Sequence, residues 1–98
     1  DLEKIADCVT FIDKGKILIS GYKDDILETH GLLKCSKSDY ENIDKEDIIS
    51  ARITDFGVDA MVSDKEICRK KYSGVVIDKT TLEEIMLFYV NRDKKEWN

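Results

Sequence analysis

The residues in this chain that could do chemistry are few and widely scattered. The chain has a single histidine, His30, and three cysteines, Cys8, Cys35 and Cys68. An odd number of cysteines without a Cys-x-x-Cys pair argues against both a disulfide framework and a zinc site, and favours small buried thiols. His30 is expected at the end of a short helix, where the partial negative charge of the last carbonyls suits the ring. We therefore predict structural roles for these side chains.

Other motifs that resemble reactive sites lack the partners that their chemistry needs. The acidic residues between positions 39 and 47 do not form a calcium loop, because Ile43 occupies a ligand position and the required glycine is missing. The triplet Asp55-Phe56-Gly57 has the letters of the magnesium-binding triplet of protein kinases. Without a glycine-rich loop or a His-Arg-Asp motif it is predicted to be a hairpin turn.

No phosphate-binding loop is present, because the five glycines are dispersed one per turn. Such a loop needs clustered glycines, whose backbone N–H groups approach the phosphate oxygens, and a lysine. We therefore predict that these residues form no enzyme active site and hold no cofactor or metal.

Composition excludes two further classes of partner. Twenty-one acidic residues outnumber 16 basic ones, which gives a net charge of −5 and leaves no basic face for nucleic acid. No apolar run approaches the ~18 residues that a membrane-spanning helix needs, so direct membrane insertion is not expected. The 42% apolar and 38% charged residues are typical of a globular domain.

The first thirty residues are predicted to form a helix, a β-hairpin and a second helix. An amphipathic helix is expected over residues 1–7, and a hairpin over residues 8–20 turns at residues 13–16. A short helix follows over residues 24–29, with Gly31 as a left-handed cap. Because an isolated two-stranded hairpin is marginal in water, this segment requires another sheet or helix against which to pack.

The next segment predicts an α+β fold. Residues 32–77 give the order strand, helix, strand, strand, helix, strand, which is that of the ferredoxin-like sandwich: a four-stranded antiparallel sheet with two helices on one face. Sequences typical of capping boxes mark the expected helix starts. They are Ser38-x-x-Glu41, Ser63-x-x-Glu66 and, for an extra C-terminal helix, Thr81-x-x-Glu84.

The final helix is predicted to be apolar over more than half of its circumference. Leu87 and Phe88 fall outside the face formed by Leu82, Ile85, Met86 and Tyr89, so the helix should be buried on two sides. It could cover the open sheet or bind a partner. Leu87 and Phe88 are the predicted interface residues, and residues 92–98 are expected to form a charged tail.

Three segments resemble the C-terminal part of ATP-binding subunits of bacterial ABC transporters. Residues 1–7 are similar to the helix that follows the switch histidine of that family. Residues 8–21, with an Asp-Lys-Gly-Lys turn and a closing Ser-Gly, resemble the hairpin that ends its ATPase sheet. Residues 80–87 resemble a closing helix of the family, with Thr80 where proline is common and Met86 where phenylalanine is usual.

The resemblance implies a division of the chain and a parent protein. Residues 1–30 would be a remnant of the ATPase domain, residues 31–91 a ferredoxin-like accessory domain, and residues 92–98 a tail. The parent would bind ATP and magnesium, hydrolyse ATP, dimerise, and drive a membrane-spanning subunit from the cytoplasmic face of the membrane. Its ATP-handling residues would lie upstream of Asp1, so none is assigned here.

The expected function is therefore that of a non-catalytic regulatory or dimerisation domain. One alternative is a ferredoxin-like module that senses a small effector, with Tyr40 and Tyr72 as candidate aromatic walls. Another is a small protein with a function of its own.

Overall fold

A computed structural model describes residues 7–98 and shows a mixed α+β structure. The helix predicted over residues 1–7 falls almost wholly outside the described residues. The strands are β1 (Cys8–Asp13), β2 (Lys16–Tyr22), β3 (Gly31–Cys35), β4 (Ile48–Thr54), β5 (Gly57–Val62), β6 (Val76–Asp78) and β7 (Glu96–Trp97). The helices are α1 (Lys23–Thr29), α2 (Lys37–Glu41), α3 (Lys65–Lys71) and α4 (Leu82–Val90), with 3₁₀ turns at Lys45–Asp47 and Arg92–Lys94.

The predicted hairpin is confirmed as a separate two-stranded sheet. β1 and β2 pair antiparallel, with a register shift between Phe11 and Ile12. Lys14 and Gly15 form the turn with φ angles of 52° and 77°. Left-handed backbone at both turn positions matches the right-handed twist of the flanking strands, which is why this short connection closes the hairpin.

The second sheet contains five strands in the order β6-β3-β5-β4-β7. The predicted element order between residues 32 and 77 is observed, and the pairs among β3, β4, β5 and β6 are antiparallel. β7 adds to β4 in parallel, so the sheet is mixed and has one strand more than predicted. Residues 92–98 are thus more than a charged tail, because they supply this edge strand.

Both faces of the five-stranded sheet are covered. The helices α2 and α3 pack on one face, and α1, α4 and the inner side of the hairpin pack on the other. Successive strand residues point to opposite faces, so neighbours such as Leu32 and Leu33 enter different cores. The first core is built by Leu33, Tyr40, Ile43, Ile48, Ala51, Val58, Ala60, Val62 and Cys68, and the second by Ile26, Leu32, Ile49, Met61, Ile85 and Phe88.

Helix starts agree with the prediction only for α4. Thr81 accepts a hydrogen bond from the backbone N–H of Glu84, as predicted. The cap of α2 is Ser36 rather than Ser38, and the cap of α3 is Asp64 rather than Ser63. In both cases a better-placed acceptor lies within two residues of the predicted one, and its oxygen reaches the free N–H groups of the first turn.

Gly31 is not the predicted left-handed cap of α1. It begins β3, and His30 takes the C-cap position with extended backbone. A Cβ at Gly31 would lie 2.5 Å from Cγ2 of Ile77, so glycine is required here for close packing between β3 and β6.

Among residues 7–98, no helix combines the length and the apolar character needed to cross a bilayer.

Candidate interaction surface and cavity

The outer side of the hairpin is uncharged and exposed. Its inner side, with Val9, Phe11 and Ile19, packs on the core beneath α4. Ile12 and Ile17 are 63% and 65% exposed although both are β-branched apolar residues that favour a covered sheet face. The three cross-strand pairs on the outer side are Cys8–Tyr22, Thr10–Ser20 and Ile12–Ile17. We call these six residues the outer hairpin face.

The two residues predicted to face a partner lie in different environments. Phe88 is fully buried in the core between α4 and the sheet, so its predicted interface role is wrong in this structure. Phe88 is the next residue after Leu87 in α4, and the rotation of the helix turns its side chain toward β4. Leu87 is 38% exposed, and Met86 and Val90 are exposed on the same outer side of α4. The prediction that Leu87 contacts a partner stays a prediction.

Polar contacts fix α4 on the sheet. The buried hydroxyl of Ser50 donates a 2.7 Å hydrogen bond to the carbonyl oxygen of Phe88. Arg52 contacts Asp59 at 3.2 Å and Glu84 at 3.3 Å, and its guanidinium lies 5.2 Å from the centre of the Phe88 ring. Because an aromatic face attracts a cation, Arg52 joins β4, β5 and α4 through a single side chain.

His30 joins the end of α1 to α4. Its Nδ1 lies 2.9 Å from the carbonyl oxygen of Ile26, and its Nε2 lies 3.0 Å from the hydroxyl of Tyr89. A carbonyl can only accept, so Nδ1 carries the proton and the neutral ring accepts at Nε2 from Tyr89. Burial lowers the pKa of His30, against an opposing effect of the Ile26 hydrogen bond. The ring is therefore a structural link between the end of α1 and α4.

A cavity of about 290 Å³ lies at the end of the sheet between α2 and the turn before β6. Burial raises the pKa of the half-buried Cys35 thiol, with a smaller contribution from Asp39, so this thiol is a poor nucleophile. The residues lining the cavity are Lys34, Cys35, Asp39, Asn42, Ile43, Tyr72, Ser73, Gly74 and Val75.

A second depression shares Lys34 and Cys35 with this cavity. It has a volume of about 310 Å³ and extends to Phe56. Phe56 lies at the tip of the β4–β5 turn and is 100% exposed. From the sequence, Phe56 was assigned to a turn and its exposure was not predicted. The signal was available, because a phenylalanine in a two-residue turn has few neighbouring side chains to cover its ring.

The two tyrosines proposed as walls of an effector site differ. Tyr72 lines the cavity, and its hydroxyl donates to Asp47 at 2.7 Å and accepts from the backbone N–H of Asp44 at 2.8 Å. Lys71 contacts the same Asp47 at 2.8 Å, and this hydrogen bond is the main reason why the pKa of Asp47 lies below its ordinary value. Tyr40 is buried in the core, so it forms no cavity wall.

The described residues contain no cluster of candidate metal ligands, and their cysteines are unpaired. Between residues 7 and 98, no group of three or more His, Cys, Asp or Glu side chains could hold a metal ion. Cys8 is exposed, Cys35 is partly buried and Cys68 is buried, and all three are free thiols. Burial raises the pKa of Cys68 to about 11.

Comparison with known proteins gives no relative: no protein family, curated protein or solved structure matches this chain.

Proposed function

We propose that this chain is a non-catalytic regulatory and dimerisation region that follows the ATPase domain of an ABC-type ATP-binding subunit. The observation that carries the proposal is the outer hairpin face. Six uncharged residues, including two exposed isoleucines, form one side of a two-stranded sheet whose other side already packs on the core. A sheet with one open, uncharged side that exposes β-branched apolar residues is typical of a piece that continues into a larger structure.

The sequence resemblance supports the same assignment. Residues 8–21 resemble the hairpin that ends the ATPase sheet in that family, so we infer that the outer hairpin face contacts the ATPase domain of the parent. In the implied parent, ATP and magnesium would be bound by residues upstream of Asp1. The hairpin would then join that ATPase domain to residues 31–91.

The finer fold assignment is also a proposal, namely a ferredoxin-like sandwich over residues 31–78. Its support is the strand order. In a split arrangement, the two strands of each strand–helix–strand unit flank a strand of the other unit. Here β5 lies between β3 and β4, and β3 lies between β5 and β6. The fifth strand, β7, and the helix α4 would be additions to that sandwich.

The encoding reading frame and its full-length product test the parentage. We expect a Gly-x-x-x-x-Gly-Lys-Ser/Thr loop upstream of Asp1, and magnesium-dependent ATP hydrolysis by the full-length protein. The double substitution Ile12→Asp and Ile17→Asp should reduce that hydrolysis, whereas Lys14→Asp and Lys16→Asp in the same hairpin serve as the control. A start codon near Asp1, or ATP hydrolysis by the 98 residues alone, would overturn the proposal.

The dimerisation part rests on the outer side of α4, where Leu87, Met86 and Val90 are exposed. In the full-length protein, Leu87→Asp should shift the mass measured by light scattering from dimer toward monomer. Glu83→Gln, an exposed change on the same helix, should leave the mass unchanged. If the mass of the Leu87→Asp variant remains that of a dimer, Leu87 is not part of the interface.

A second candidate function, effector sensing, is favoured by the cavity beside Cys35. Its volume of about 290 Å³ would admit a small polar molecule, and Tyr72 and Val75 give it an apolar wall. A thermal-shift screen with amino acids, nucleotides and metal ions tests this function. A specific shift that Val75→Trp abolishes would support it, and the absence of any shift would count against it.

A further inference from the structure

The two charged side chains that line the cavity beside Cys35 differ in their partners. They are Lys34 and Asp39. The Lys34 ammonium lies 3.5 Å from a carboxylate oxygen of Asp59. The Asp39 carboxylate has no hydrogen-bond or ion-pair partner within residues 7–98. The unmatched charge at the wall of this cavity is therefore negative.

Other cations near the cavity are held by groups of the protein. The Lys45 ammonium donates to the carbonyl oxygens of Tyr40 at 2.9 Å and Ile43 at 3.0 Å. The Lys71 ammonium contacts the Asp47 carboxylate at 2.8 Å. Because these contacts fix both ammonium groups, neither forms an ion pair with the free carboxylate in the described part of the chain.

The Cys35 thiol is affected by the same balance of charge from within the cavity wall. Burial is the main reason why the pKa of this thiol is raised, and the charge of Asp39 is the next. The charge of Lys45 opposes this effect, and that of Asp59 adds to it. Since a negative charge nearby disfavours a thiolate, negative charge outweighs positive charge at this wall. The same field favours a ligand that carries a positive charge.

The remainder of the wall is mostly apolar and leaves the cavity accessible. Ile43 is buried, and Tyr72 and Val75 are partly buried beside it. Gly74 has a φ of 82°, and no atom lies within 4 Å of the position that a Cβ would take there. The cavity measures about 290 Å³. A cavity on the order of 150 Å³ already admits benzene, so an aromatic ring with a short chain fits this one.

We propose that the cavity binds a small organic ammonium compound with an apolar body. The Asp39 carboxylate accepts hydrogen bonds from the ammonium group, and Tyr72 and Val75 contact the apolar part. A hydrogen bond between two charged groups is stronger than one between neutral groups, and here it displaces no protein partner. This inference rests on the candidate function of effector sensing and names the chemical class of the effector.

Asp39 also has a simpler role, because it lies in the first turn of α2, where a negative charge suits the helix dipole. In that role alone, the carboxylate would make no difference to a ligand in the cavity. The binding experiment therefore has to compare compounds and variants that differ in one charge only.

A nuclear magnetic resonance titration of the 98-residue chain with phenethylamine tests the proposal. Gly74 in the cavity wall and Gly15 in the hairpin turn are matched reporters, since both have positive φ and open space around them. We expect a saturable shift of the Gly74 amide signal and no shift at Gly15. The uncharged isostere 2-phenylethanol should bind several-fold more weakly, and 3-phenylpropionate, which carries a carboxylate, more weakly still.

Two variants of α2 assign the selectivity to one side chain. Asp39→Asn should weaken phenethylamine binding several-fold and leave the binding of 2-phenylethanol unchanged. Glu41→Gln, an exposed change on the same helix outside the cavity, should alter neither. Equal affinities for phenethylamine and 2-phenylethanol, or unchanged phenethylamine binding in Asp39→Asn, would overturn the proposal.

The outcomes also separate this inference from effector sensing itself. If 3-phenylpropionate bound most tightly and Val75→Trp abolished that binding, the cavity would be an effector site that prefers anions. Effector sensing would then stand, and the ammonium assignment would be overturned. If none of the three compounds shifted the Gly74 signal, the ammonium assignment would again be overturned, and the thermal-shift screen would still decide the broader function.

Discussion

At the scale of single residues, His30 gives the chain a stability that depends on pH. Its ring is buried between α1 and α4, and burial lowers its pKa from the ordinary value of 6.5. The unfolded chain therefore binds the proton more readily than the folded chain does. Stability from this group is present above the ordinary value and is lost as the pH falls through it.

We expect the free energy of unfolding to decrease between pH 7.5 and pH 5.5. Most carboxylates titrate below this range, since their ordinary pKa values lie near 4, and His30 is the only histidine. Urea unfolding at several pH values measures the effect. His30→Gln should flatten the pH dependence in this range, and a slope unchanged in that variant would show that another group is responsible.

The sequence of the final helix does not show which of its apolar residues face outward. The apolar pattern over residues 82–90 predicts a helix buried on two sides, but only the side with Ile85 and Phe88 is fully buried, and Leu87 on the outer side is 38% exposed. Which of two adjacent residues faces outward depends on how the helix rotates on the sheet. Ser50 and Arg52 fix that rotation, and no local pattern places these strand residues beside Phe88.

At the scale of elements, local signals located the helices well and their first residues less well. Serine, threonine and aspartate all cap helices, so a sequence with several of them near a helix start offers several candidates. At α3, Ser63 and Asp64 are adjacent, and the backbone path after β5 decides between them. That path is set by the tertiary position of the strand, which is not encoded locally.

The caps give a paired prediction. Asp64 accepts from the N–H groups of Glu66 and Ile67, so Asp64→Ala should reduce the free energy of unfolding by about 1 kcal/mol. The same reduction of about 1 kcal/mol is expected for Ser36→Ala, which removes the bond from the N–H of Asp39. Chemical denaturation measures both changes.

The neighbouring serines are matched controls for the caps. Ser63→Ala and Ser38→Ala alter the residues predicted from the sequence, and each should change stability by less than about 0.5 kcal/mol. If Ser63→Ala reduced the free energy of unfolding more than Asp64→Ala did, Ser63 would be the cap of α3, as the sequence predicted.

At the scale of the whole molecule, the hairpin and the five-stranded sheet share one core. The sequence predicted a domain boundary near residue 30, because the hairpin precedes the elements of a complete ferredoxin-like sandwich. Val9, Phe11 and Ile19 nevertheless pack with Ile85 and Phe88 on the sheet face that α4 covers. Long-range packing of this kind joins residues far apart in the chain, and hydrophobic periodicity alone cannot show which face they meet.

Adjacent residues of β1 test whether the shared core makes unfolding cooperative. Phe11→Ala removes a ring from the core, so we expect a loss of stability on the order of 2 kcal/mol, below the value for a fully buried ring. Ile12→Ala alters the outer hairpin face and should cost less than about 0.5 kcal/mol.

Trp97, the only tryptophan, reports by fluorescence on the sheet edge beside Phe88, and circular dichroism reports on the whole chain. If one core holds the molecule together, both signals shift to lower denaturant concentration for Phe11→Ala and coincide. A Trp97 transition unmoved by Phe11→Ala would mean that the hairpin unfolds separately, and the boundary near residue 30 would then be a real one.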